Sequence, residues 1–287
     1  MINRKNADIF LIFVAISWGG TFILVQNAIK DLPTFSFLAI RFFLATAIMF
    51  ALFYKKIELN KSAIKYASIL GVFNFIAFAT QTIALNYTSS AIVAFITGLN
   101  VVFVPILAFL LFKKIASIYS IIAVLISAIG VYFLTMSGSL SVGIGEFLTL
   151  ICAVFVALHI NYTDILAKKE NIYTLVTFQF LTISILSFIF AIFEDKSRFV
   201  FSYNVVLAIV ITSVFATVFA FLVQTAAQKY TTATKTAIIF TLEPLTAAIF
   251  SYFWGEPLSY AQIFGSFLII VAMLISELRD KIFFFNR

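Results

Sequence analysis

Glu243 stands directly before Pro244 in "TLEPL" (Thr241 to Leu245), inside a run from Thr236 to Trp254 that holds no other charge. A carboxylate there can bind a cationic group or carry a proton, and the proline removes a backbone hydrogen bond beside it. Arg41 is the other ionisable group set deep in an apolar run. It could attract a carboxylate, pair with Glu243, or snorkel to the nearer interface. His159 could titrate near neutral pH, although a neutral hydrogen-bonded core histidine fits it as well. Covalent chemistry is poorly supported. The chain has one cysteine (Cys152), one histidine and no aspartate expected at depth, so nucleophile–base pairs and zinc sites lack members. That argues against an enzyme or lipid-handling protein, and no metal or cofactor is expected.

The elements that must position these groups are membrane helices. Hydrophobic residues make up 63% and charged residues 11% of the 287, against about 45–50% and about 25% in soluble domains. The apolar runs are long and do not alternate, which favours helices over a barrel. At about 20 residues per span, ten spans are expected, at roughly 8–29, 34–54, 66–85, 91–112, 115–136, 144–163, 173–193, 203–226, 234–254 and 258–277. The first run is of span length with no small-residue cleavage site after it, so it reads as a retained helix. Fifteen Lys and Arg residues fall on one side of these spans and three on the other, which places both termini in the cytoplasm. The net charge of +7 follows from that bias and does not call for nucleic acid. The 37 phenylalanines read as lipid-facing bulk.

The chain also echoes itself. "QTIALNYTSSA" (Gln81 to Ala91) matches "QTAAQKYTTAT" (Gln224 to Thr234) at an offset of 143 residues. The same offset sets "GLN" (Gly98 to Asn100) against "TLE" (Thr241 to Glu243), so Asn100 is the counterpart of Glu243. Small shifts align Arg41 with Gln179 and Trp18 with His159. Five spans per half would insert the second half upside down. The expected fold is therefore all-α integral membrane, ten transmembrane helices as two inverted five-helix repeats, 1–138 and 139–287. Inverted repeats are a signature of secondary transporters that alternate access to a midplane site.

Polar side chains concentrate in spans 1, 3, 4, 6, 8 and 9, which should surround a cavity, with spans 5 and 10 outside it. The candidate substrate-binding residues are Trp18, Thr21, Arg41, Gln81, Asn100, His159, Gln179, Gln224 and Glu243. Glu243 is the coupling candidate. Pro105 and Pro244 are the expected helix breaks, each freeing a backbone carbonyl that a cavity would satisfy.

These motifs resemble the EamA family of the drug/metabolite transporter superfamily. The resemblance rests on "WGGTF" (Trp18 to Phe22), "LPTFSFLAIRF" (Leu32 to Phe42), "LEPL" (Leu242 to Leu245) and "GEPLSYAQIFG" (Gly255 to Gly265). It implies a ten-helix permease of the bacterial inner membrane that moves amino acids, other metabolites or drugs, frequently outward. Trp18, Arg41 and Glu243 match positions typical of the family. The chain departs from the pattern at "FKKIAS" (Phe112 to Ser117), where a Gly-Glu pair is common, and at His159, where tryptophan is common. The implied partners are a small-molecule substrate, the lipid bilayer and protons as a coupling ion. Uptake or exchange of nucleosides or drugs is the alternative reading, and monomer or homodimer stays open.

Overall fold

The computed structural model describes residues 2–135, 143–195, 199–253 and 259–284. Within them the chain is helical, with no strand. The helices are α1 (Ala7–Gly19), α2 (Phe22–Ala28), α3 (Thr34–Phe53), α4 (Lys61–Ala84), α5 (Ser90–Gly98), α6 (Asn100–Phe112), α7 (Ile118–Thr135) and α8 (Ile144–Leu166). They continue with α9 (Ile172–Ala191), α10 (Tyr203–Ser213), α11 (Ala220–Ala227), α12 (Ala233–Phe240), α13 (Leu242–Phe253) and α14 (Tyr260–Phe284). A π-helical turn, Val214–Phe219, joins α10 to α11.

Eight helical runs among the described residues are long and apolar enough to cross a membrane. Three of them are interrupted runs, α1 with α2, α5 with α6 and α12 with α13. The apolar parts of α7 and α14 are shorter, Ile118–Phe133 and Ile263–Ala272. The boundary between the expected halves, the Gly255–Leu258 portion of the last motif, and the external basic residues Lys196 and Arg198 lie outside the described residues. Span 6 runs past its expected end at residue 163 to Leu166. It thereby takes in Asp164, whose side chain is nearly fully buried between Lys114 and Lys168 at 2.7 Å each. An aspartate inside a span, absent from the sequence reading, is tolerated here because two lysines neutralise it.

Polar residues open the helices where turns were expected. Asn60, Ser89, Asn171, Ser202 and Thr232 each accept a hydrogen bond from a backbone N–H in the first turn that follows. At the start of α3 no local cap exists, and Glu194 supplies one from the end of α9. Its carboxylate accepts from the N–H groups of Phe35 at 2.6 Å and Ser36 at 2.9 Å.

The helices pair as α3 with α9, α4 with α8 and α9, α1 with α11 and α13, and α7 with α14. Small residues permit the close approaches. A Cβ on Gly71 of α4 would lie 2.8 Å from the Gln179 carbonyl, and one on Gly130 of α7 would lie 2.9 Å from the Gly265 carbonyl. The phenylalanines divide between lipid and core. Phe37, Phe42, Phe180 and Phe240 are among the largest fully buried side chains, whereas Phe43, Phe193 and Phe267 are exposed. Bulk toward lipid is thus only part of their role.

Candidate functional site

Spans 4 and 9 are both interrupted, but not at the expected prolines. Pro105 lies inside α6, six residues after the interruption at Leu99, because a proline can be carried within a helix where the freed backbone group finds another partner. In span 4 the helix yields at Leu99, and α6 then continues through Pro105. In span 9 it yields at Thr241, three residues before Pro244. Short side chains satisfy the backbone there. Asn100 Nδ2 donates to the Thr97 carbonyl at 2.8 Å, and Thr241 Oγ1 donates to the Ile238 carbonyl at 2.6 Å. The breaks also meet in space, since a Cβ on Gly98 would lie 3.2 Å from Pro244 Cγ. Span 1 is interrupted too, at Gly20–Thr21, where Thr21 Oγ1 donates to the Trp18 carbonyl at 2.8 Å. Gly19 brings this span against α13, and any Cβ there would collide with the Glu243 carbonyl oxygen.

A cavity lies among these interruptions. It leaves about 70 Å³ for the centres of water-sized spheres, where one water needs about 10–15 Å³. A few waters or a small solute fit. Its wall takes residues from spans 1, 3, 4, 6, 8 and 9, as expected, and Arg41 from span 2 in addition. Spans 5 and 10 supply none of the described lining; they pack on each other instead.

Trp18, Thr21, Arg41, Gln81, His159, Gln224 and Glu243 all lie on the wall. Asn100 and Gln179 do not. Asn100 is spent on the helix break, and Gln179 stands behind His159, its Oε1 3.1 Å from His159 Nε2 and 3.4 Å from Asn74 Nδ2. His159 is therefore a hydrogen-bonded, buried imidazole. It also meets Phe221 edge-on at 5.6 Å between centroids.

The two intramembrane charges are held in opposite ways. Arg41, 4% exposed, does not pair with Glu243, and it does not snorkel. Its Nε donates to Thr217 Oγ1 at 2.9 Å and its Nη2 to the Ala216 carbonyl at 3.4 Å. Its guanidinium carbon lies 4.9 Å from the Phe78 ring centroid and 5.3 Å from that of Phe42, within cation–π range. Ala216 belongs to the π-helical turn, and its carbonyl also accepts from Trp18 Nε1 at 2.8 Å. A π turn displaces the regular hydrogen-bond ladder and leaves carbonyl oxygen available to side chains. Glu243, 7% exposed, sits in the first turn of α13, where the helix end favours an anion. Its carboxylate has no hydrogen bond or ion pair among the described residues.

The sequence reading missed Phe78, Phe221 and Cys152 on the wall. Cys152, Val156 and His159 follow helical spacing along one face of α8, so periodicity from His159 could have found the cysteine. No comparable signal marks Phe78 or Phe221, because phenylalanine is too common here to stand out. Among the described residues no cluster of His, Cys, Asp and Glu could hold a metal ion.

Helices throughout the described residues, with span-length apolar runs and an internal cavity whose mainly apolar wall carries a few polar and charged groups, have the build of a membrane transporter. The model of the EamA-like transporter family matches residues 5–136 and again 143–277, and the chain belongs to that family. An uncharacterized transporter of Archaeoglobus fulgidus is 35% identical over 279 residues, covering 97% of this chain and 88% of that protein. The uncharacterized transporter YyaM of Bacillus subtilis is 27% identical, covering 95% and 94% respectively. A solved crystal structure with 18% identity superposes with a TM-score of 0.77 over 96% of this chain and 98% of its own, a likeness of fold.

Proposed function

We propose that this transporter is a secondary carrier of small organic solutes that bear both an ammonium and a carboxylate, amino acids foremost. The observation that carries this reading is the pair of buried, mutually unpaired charges on one cavity wall. Arg41 offers its remaining guanidinium N–H groups to a carboxylate, and Glu243 offers an open carboxylate to an ammonium. A desolvated charge without a partner is costly, and a zwitterion would supply both partners at once. An acid at the solute site would also let proton exchange at Glu243 couple to transport.

The wider scheme is alternating access by two inverted five-helix halves, ten spans in all, with both termini in the cytoplasm and net movement outward. The double match to one family model and the paired breaks in spans 4 and 9 support the repeat. The family resemblance supports export.

Counterflow in proteoliposomes tests the reading. A panel of amino acids should give saturable exchange, and inside-out vesicles should accumulate the solute when an outward path operates. Arg41→Met should weaken a free amino acid by roughly tenfold relative to its ester, the scale of hydrogen bonds to a charged group. Equal loss for both forms would leave Arg41 a purely structural tie. Full, pH-independent transport by Glu243→Gln would remove proton coupling.

A further inference from the structure

At an offset of 143 residues Gln81 and Gln224 correspond, but their surroundings differ. Gln81 Nε2 donates to Thr97 Oγ1 at 3.1 Å. A hydroxyl can donate or accept, so that contact does not dictate which way the Gln81 amide faces. Gln224 is different. Four residues on, at the position where the first half has Leu85, stands Gln228. Gln228 Nε2 donates to the Ile160 carbonyl at 3.0 Å. A carbonyl only accepts, so the amide nitrogen of Gln228 must lie on that side. Its Oε1 then faces Gln224 at 3.2 Å and can only accept, which obliges Gln224 to present Nε2. The consequence falls on the other end of the Gln224 amide. Its Oε1 is left buried with no partner, on a residue of the cavity wall. An unmet buried acceptor destabilises the empty site until a donor reaches it.

We infer that Gln228 is a positioning residue that locks the Gln224 amide so that its oxygen accepts a hydrogen bond from the bound solute, and that it thereby selects solutes carrying an N–H donor. Gln228 acts through Gln224 and needs no contact with the solute. The inference rests on the reading of this cavity as the solute site, and it adds which chemical group the second half recognises. The pseudo-symmetric Gln81 lacks such a lock, so of the two glutamines only Gln224 selects the donor.

Counterflow with reconstituted full-length protein, using each amino acid and its N,N,N-trimethyl form, separates the possibilities. The wild type should favour the ammonium form by more than roughly tenfold, because Glu243 and the Gln224 oxygen each accept from it and one well-placed hydrogen bond accounts for about tenfold. Gln224→Leu should lower that ratio severalfold and leave the part that Glu243 contributes. Gln228→Leu should lower it severalfold, because the Gln224 amide can then turn. The double variant should do no more than Gln224→Leu alone. Gln228→Glu keeps an acceptor before Gln224 Nε2 and should retain the wild-type ratio even where total transport drops. Gln228→Met, which keeps length but has no amide, serves where Gln228→Leu does not elute as folded protein. A ratio unchanged in Gln228→Leu or Gln228→Met, with both forms slowed alike, would overturn the positioning role. Loss of the ratio in Gln228→Glu as severe as in Gln228→Met would overturn it also. If the wild type exchanged none of the panel, the carrier reading would fall first and the inference with it.

Discussion

Spans 4 and 9 use one backbone device for two purposes. Each helix is interrupted near its middle, at Leu99 and at Thr241, and each resumes with a polar residue close behind, Asn100 or Glu243. Asn100 turns its amide nitrogen inward onto the Thr97 carbonyl and leaves the cavity wall. Glu243 stands on the wall with its carboxylate unsatisfied. The neutral residue stabilises the break, whereas the charged one is left open at some cost to stability. A group that weakens the fold and is retained at a cavity is where function is to be sought.

The comparison can be broken most severely at the charge. Glu243→Gln should depress exchange of an ammonium-bearing solute by on the order of 100-fold, consistent with the 2–5 kcal/mol typical of removing one member of a buried charged contact. Its melting temperature should hold or rise, because an unpaired buried charge is gone. Parallel counterflow and thermal-shift measurements would check both. Placing the acid in the other half should do the reverse. Asn100→Asp sets a carboxylate against the Thr97 carbonyl and should cost about 3 kcal/mol of stability, read as a lower melting temperature in detergent.

The next effect is steric. Gly19→Ala pushes a methyl group into the backbone of Glu243 and should destabilise by about 1–3 kcal/mol. Gly98→Ala meets only side chains, Pro244 at 3.2 Å and Val131 at 3.6 Å, and should cost well under that. Similar losses at the two glycines would show that the breaks are packed alike. The smallest expected change is Asn100→Ala. Loss of its bond to the Thr97 carbonyl should lower stability by about 1 kcal/mol and leave solute preference unaltered, because Asn100 is off the wall.

Much of this was legible in the chain. Hydropathy located the helices because a bilayer admits little else, and the breaks in spans 4 and 9 fall at residues ahead of a proline, whereas the break at Gly20–Thr21 in span 1 had no proline to mark it. The set of spans that line the cavity followed from where polar residues clustered. The precise break points did not follow, because proline marks the strained region and not the residue that yields. Arg41 illustrates the other limit. Depth alone allowed a pair with Glu243, but its donors go to Thr217 and to a carbonyl in the π-helical turn. No pattern of side chains announces a backbone acceptor.

The sequence by itself determined a membrane-embedded helical chain, its self-similarity and two of its buried charges, Arg41 and Glu243, since these depend on composition, period and spacing. Only the tertiary structure decided which polar groups are spent on each other. Asn100, Gln179, Gln224 and Glu243 look equivalent as polar residues in apolar runs. Hydrogen bonds depend on distances that packing sets, so packing alone shows that the Gln179 oxygen has partners whereas Glu243, the Gln224 oxygen and the Asn100 oxygen have none.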